Sequence, residues 1–313
     1  MKNLYIHIGA PKTGSSSIQL FMSKNYEFLK KKYGLLYPSI DNIPNRKEVN
    51  GKIFNDLALV KEFIELSYKS ECNDIVLSEE ILFFEGGYDF FEYLSKNNYI
   101  IKIVVYIRNS AEYLSSLWAE HFKLYNLKIN IKPIEAFLQN NRYELNLSRL
   151  FDYASLFGDE SIIIRPYEGI EGFDVVKDFL SIFNISKSDE FIEVNKEERN
   201  ISVTRKYCDI VNYLKVTSRS NNYSSEEIDW LMSFICGDDR WVIETLSDKL
   251  ICNICDRYAP IEKKLSSRFL QSNTLFKSRY PYIYGVERHP YIPLTNDDRY
   301  KITNFLISRI SSC

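Results

Sequence analysis

Residues 7–19 read HIGAPKTGSSSIQ. They join an apolar alternating stretch, LYIHI at residues 4–8, to an amphipathic one that begins in the serines. Period-two alternation predicts a strand and apolar spacing of three and four predicts a helix, so Gly9 to Gly14 reads as a strand-to-helix loop. Such a loop aims backbone N–H groups and the positive end of a helix dipole at one point, which is the setting that holds a phosphate. Its two glycines, with four residues between them, match the spacing of the nucleoside-triphosphatase loop, but that loop continues with Lys and then Ser or Thr. Here Gly14 is followed by Ser15, and Lys12 stands two residues before the glycine.

Outward from the loop the same rhythm repeats. DIVLSE at 74–79, YIIKIVVYI at 99–107 and ESIIIRPYE at 160–168 predict strands. SSSIQLFMSKNYEFLKKK, closed by Gly34, SAEYLSSLWAEHFKLY at 110–125 and GFDVVKDFLSIF at 172–183 predict helices. The middle strand is apolar enough to be buried on both faces. Strands alternating with helices predict an α/β fold: a three-layer, P-loop-like core whose parallel sheet has right-handed crossovers and a ligand crevice at the strands' carboxyl ends. After about Asn200 the strand pattern fades, and SSEEIDWLMSFI at 224–235 and DDRYKITNFLISRI at 297–310 read as helices. The expectation is one domain over residues 1–313, with a nucleotide-binding core in 1–200 and a mainly helical extension in 201–313.

Composition narrows the function classes. At 45% hydrophobic and 26% charged the chain is an ordinary globular one. Forty basic against 42 acidic residues leave no global field for nucleic acid or an anionic membrane. No apolar run approaches the roughly 20 residues of a membrane span, and MKNLYIHIG lacks the length and cleavage site of a secretory leader. Six cysteines in 313 residues do not make a disulfide scaffold. Cys252 and Cys255 form one CxxC within helical spacing and read as a helix face rather than a metal site. Reduced thiols and a cytoplasmic setting are expected.

The buried strand ends in YIRN, so Arg108 occupies the place where a magnesium-binding acidic residue would be expected. Lys12 and Arg108 would neutralise phosphates as side-chain cations, with no metal required. Arg108 could alternatively pair with Glu112 four residues on.

These residues carry a resemblance. PKTGSSSIQ is similar to the 5′-phosphosulfate loop of sulfotransferases that use 3′-phosphoadenosine 5′-phosphosulfate (PAPS), commonly PKTGTTSLQ, with serines here in place of threonines. The family's second element, an arginine ending a buried strand and a serine eight residues later that together hold the 3′-phosphate, resembles Arg108 and Ser116, with Ser115 the neighbouring alternative. The likeness runs more loosely through VLSEE, NLSRLFDYASLFGDESIIIRPYE and VVKDFLSIFNI, about the first 200 residues. It implies PAPS as donor and adenosine 3′,5′-bisphosphate (PAP) as product. Lys12, Thr13, Gly14, Ser15, Ser16, Ser17, Arg108 and Ser116 would hold the donor. Bacterial members of similar length often act on carbohydrate, so a glycan or glycolipid hydroxyl is the first acceptor, with a small phenol, a lipid or an amine behind it.

Sulfuryl transfer is an in-line displacement that leaves charge on a phosphate oxygen and a proton on the nucleophile. Lys12 and the amides of Thr13 to Ser17 suit the first task. A strand-end carboxylate suits the second. DIVLSEE ends in two; alternation separates Glu80 from Glu79, and the Ser-x-Glu segment of glycan-type members, which the chain resembles here, selects Glu80. His7 is expected to orient the loop, His121 to line an acceptor channel or face solvent, and His289 to sit in a surface loop. Two rivals remain: a nucleotide kinase with an unusual loop, and a nucleotide-binding protein without chemistry.

Overall fold

The computed structural model describes residues 2–37, 57–84, 87–96, 99–123, 137, 145–167, 173–194, 205–217, 225–236, 246, 248–277 and 294–310. Its strands are β1 (Lys2–His7), β2 (Leu35–Leu36), β3 (Asp74–Ser78), β4 (Tyr99–Arg108) and β5 (Ile162–Tyr167). Its helices are α1 (Ser15–Lys24), α2 (Tyr26–Tyr33), α3 (Leu57–Lys69), α4 (Ile81–Phe84), α5 (Tyr88–Ser95) and α6 (Ser110–Lys123). They continue with α7 (Arg149–Phe157), α8 (Val175–Ser181), α9 (Arg205–Thr217), α10 (Ser225–Cys236), α11 (Asp248–Phe269) and α12 (Asn296–Ile310). The predicted fold class, α/β on a parallel sheet, is the one observed.

The sheet has five strands in the order β2-β3-β1-β4-β5, and every pairing is parallel. From β1 the chain passes to β2 and β3 on one side, then to β4 and β5 on the other. The order therefore reverses between β1 and β4, and at such a switch point the crossovers leave opposite faces and open a crevice beyond the carboxyl ends. The loop after β1 and Arg108 at the end of β4 both lie on that edge.

Two cores flank the sheet. Val76, Val104 and Tyr106 pack with Ile18, Phe21 and Leu29 of α1 and α2 and with Val176 and Phe179 of α8. On the alternate positions Leu4, Ile6, Ile75, Leu77, Ile103, Val105 and Ile107 are fully buried, and α7 packs against β5. β4 is thus buried on both faces, as its apolar run implies. The Tyr106 hydroxyl donates to Asp178 Oδ2 at 2.6 Å, tying α8 to the sheet. Burial, and then the bond to that carboxylate, push its pKa up.

One helix prediction needs correction. The amphipathic run expected to continue from Ser15 to Gly34 is two helices, broken at Asn25. Asn25 is buried, its amide donates to the Phe21 and Ile192 carbonyls, and its Oδ1 accepts from Ile192 N–H at 2.7 Å. Those bonds to a distant backbone stabilise a non-helical residue at that point. Gly34 does close the second helix, at φ 63°.

The described residues fall into two compact units. The first takes 1–110, 145–200 and 256–279 and contains the sheet. The second takes 111–144, 201–255 and 280–313. In it α10 packs on α9 and α12, with Trp230 stacked between Phe234 and Phe305 at centroid distances of 5.4 and 5.7 Å. Cys252 and Cys255 lie on α11, as the helical spacing implied. Among the described residues no helix is long and apolar enough to cross a membrane.

Candidate functional site

The loop between β1 and α1 is built by backbone geometry. Ile8 N–H still bonds the Val104 carbonyl at 2.9 Å, so sheet pairing continues one residue beyond β1. The Thr13 hydroxyl then donates to the Ala10 carbonyl and closes a turn. Lys12 within that turn has φ 67°, and Gly14 follows at φ 82° as the N-cap of α1. For lysine the left-handed region costs about 1–2 kcal/mol, which the surrounding bonds must offset. Alternation of right- and left-handed residues turns successive N–H groups inward, forming a concavity for an anion.

The first turn of α1 refines the donor set. Ser17 and Ile18 N–H groups bond the Gly14 carbonyl at 2.9 and 3.1 Å, so Ser17's amide is taken up within the protein. The amides of Ser15 and Ser16 are the leading ones of the helix and have no intrahelical acceptor. The Ser16 side chain is exposed, that of Ser17 half-buried and that of Ser15 buried. Thr13 is buried and its hydroxyl is committed to the turn, so it can offer a ligand only its amide.

The structure brings Arg108 to the loop. Its Nη1 donates to the Lys12 carbonyl at 3.4 Å, and its guanidinium lies 5.5 Å from the centroid of the Tyr167 ring. Arg108 and Tyr167 are register partners on β4 and β5, and the edge of Phe173 supports Tyr167 at 5.4 Å. A planar cation stacked on an aromatic face is attracted to it and held in orientation. Sequence reading did not single out Tyr167; the available signal was YE at the end of the last predicted strand. Gly14 is constrained as well, since a Cβ there would stand 2.9 Å from Val175 Cγ1 at the start of α8.

The carboxylates part company at the end of β3. Glu79 N–H bonds the His7 carbonyl at 2.9 Å and Glu79 is buried, so it still belongs to the sheet. Glu80 is half-buried in the turn that follows, and its carbonyl accepts from Phe83 N–H at 3.0 Å. Arg149 and Tyr153 of α7 hold the next segment: Arg149 Nη1 bonds the Phe84 carbonyl, and the Tyr153 hydroxyl bonds that of Leu82.

His7 is completely buried, and burial lowers its pKa to about 3. It is therefore a neutral imidazole at physiological pH. Ser115 and Ser116 are half-buried on α6, in the second unit. The His121 side chain and His289 lie outside the described residues. Ser110, which opens α6, donates to Glu262 Oε1 of α11 at 2.7 Å. Among the described residues no group of three or more His, Cys, Asp or Glu side chains is placed to hold a metal ion.

No family model matches the chain, and no curated protein matches it. Solved structures similar to it include a sulfotransferase from Alicyclobacillus acidocaldarius, at 12% identity and a TM-score of 0.43, covering 85% of this chain and 95% of that one. A mouse sulfotransferase solved as a complex with PAP has 15% identity and a TM-score of 0.36, covering 87% of this chain and 86% of that one.

Proposed function

We propose that this chain is a sulfotransferase that takes a sulfuryl group from PAPS and passes it to a hydroxyl or amine, first of all on a carbohydrate or glycolipid. The observation that carries the reading is the reach of Arg108 from the end of β4 to the loop after β1: its guanidinium, over the Tyr167 ring, donates to the backbone carbonyl of a left-handed Lys12. A strand-to-helix loop that carries a lysine and is reached by an arginine from the neighbouring strand fits a nucleotide bearing phosphates at both the 5′ and 3′ positions. PAPS supplies the activated sulfuryl group when bound. Lys12 and the leading amides of α1 stabilise charge on the departing phosphate oxygen. Arg108 holds the remote phosphate, with Ser116 as its partner; that pairing rests on the eight-residue spacing, because the two residues belong to different units. Glu80, in the turn beyond the end of β3, accepts the nucleophile's proton. The preference for a glycan acceptor rests on the resemblance to bacterial members of similar length.

Thermal unfolding with PAP in EDTA tests the donor reading. At about 100 times its dissociation constant PAP adds roughly 2.7 kcal/mol of stability. Stabilisation by ATP with magnesium and none by PAP would place the chain among nucleotide kinases instead.

A further inference from the structure

Beneath the loop lies a buried polar circuit that the proposed chemistry does not use. Gln19 Nε2 donates to Ser78 Oγ at 3.1 Å, and Ser78 Oγ lies 2.8 Å from His7 Nδ1. Beyond the imidazole, His7 Nε2 and Ser15 Oγ are both buried, and among the described residues neither has a hydrogen-bond partner. They border one spot: a Cβ built on Gly9 would stand 2.5 Å from Ser15 Oγ and 3.0 Å from His7 Nε2. The two atoms are therefore at most about 5.5 Å apart, the sum of those distances. The edges of Tyr106 and Phe179 close the sides of the imidazole at 5.9 and 5.5 Å.

Ser78 Oγ accepts from Gln19 Nε2, and a hydroxyl that accepts one hydrogen bond can donate its own proton in another. Given to Nδ1, that proton fixes the neutral imidazole as the tautomer protonated on Nε2. Burial keeps the ring neutral, with a pKa of about 3. Gln19 and Ser15 are four residues apart on α1 and share a face, so the path leaves the helix at one turn, crosses β3 and β1, and returns one turn earlier.

We propose that His7 is a positioning residue: Nε2–H donates to Ser15 Oγ when Ser15 turns its own hydroxyl proton to an anion held by the loop amides. This rests on the preceding reading that the loop holds a phosphate of the donor. Anion binding then satisfies two buried atoms at once, and Gly9 is required because any side chain would fill the space through which they meet.

Nitrogen-15 NMR of the three histidines, with His7 assigned by its loss in His7→Gln, reads the tautomer in the unmodified protein. The expected result at pH 7 is Nε2–H in the free protein, with that resonance shifted at saturating PAP. An Nδ1–H tautomer, or a His7 resonance unmoved while PAP binds, overturns the proposal. Titration calorimetry adds the variants. His7→Asn, which keeps the Ser78 side only, and Ser15→Ala should each weaken PAP by up to about tenfold, one neutral hydrogen bond. Their combination should weaken it no further, whereas His7→Gln, which restores a donor near Nε2, should stay within about threefold of the parent. Additive losses overturn the proposal. Failure of the unmodified protein to bind PAP would sink the donor reading instead, and the tautomer of the free protein would then decide the circuit by itself.

Discussion

Acid should unfold this protein earlier than its carboxylates require, because of His7. The unfolded chain takes up a proton on this imidazole near pH 6.5, and the folded chain refuses it until about pH 3. In that window the unfolded state binds more protons, so stability rises with pH. The contribution is complete above pH 6.5 and is lost as the pH falls. Each pH unit below 6.5 costs about 1.4 kcal/mol, which comes to about 2.7 kcal/mol at pH 4.5. The half-buried ion pair of Asp174 and Lys187 does not confuse the reading: burial raises the Asp174 pKa, the Lys187 bond and nearby amides outweigh it, and the net shift is downward. Its contribution is lost only below the ordinary aspartate range. Urea unfolding of the parent and His7→Gln at pH 7.5, 6.5, 5.5 and 4.5 measures the effect. The glutamine does not titrate, so the gap between the two proteins should change by about 2.7 kcal/mol from pH 7.5 to 4.5. Parallel curves would refute the buried neutral imidazole.

Gly9→Ala should lower stability by about 1–3 kcal/mol through overpacking against Ser15 and the His7 ring, and adding Ser15→Ala should recover part of the lost melting temperature. Arg108→Ala should mainly weaken PAP in titration calorimetry, since contacts to a remote phosphate are alike in ground and transition states, whereas Lys12→Ala should also reduce turnover. Glu80→Gln should leave PAP affinity intact and cut turnover by about 10² to 10⁴, with Glu79→Gln as the control; an inactive Glu79→Gln beside an active Glu80→Gln would reverse the assignment.

What was legible in the sequence was whatever a few neighbouring residues decide together. The alternation of LYIHI, the apolar run of β4 and the glycines at 14 and 34 are local, and they led to the α/β fold and to the loop with Lys12. Arg108 was legible too, because it ends a strand too apolar to be anything but central. β2 is two residues long and offers no period to read, and α3 was passed over between Gly34 and DIVLSE. The break at Asn25 depends on Ile192, 167 residues away. Only strand pairing could place Tyr167 under Arg108, bring Ser78 of β3 to His7 of β1, or leave Glu79 in the ladder with Glu80 in the turn beyond it. These contacts depend on register and on crossovers that return distant segments to one sheet edge, and no local pattern encodes which distant backbone a buried polar group will meet.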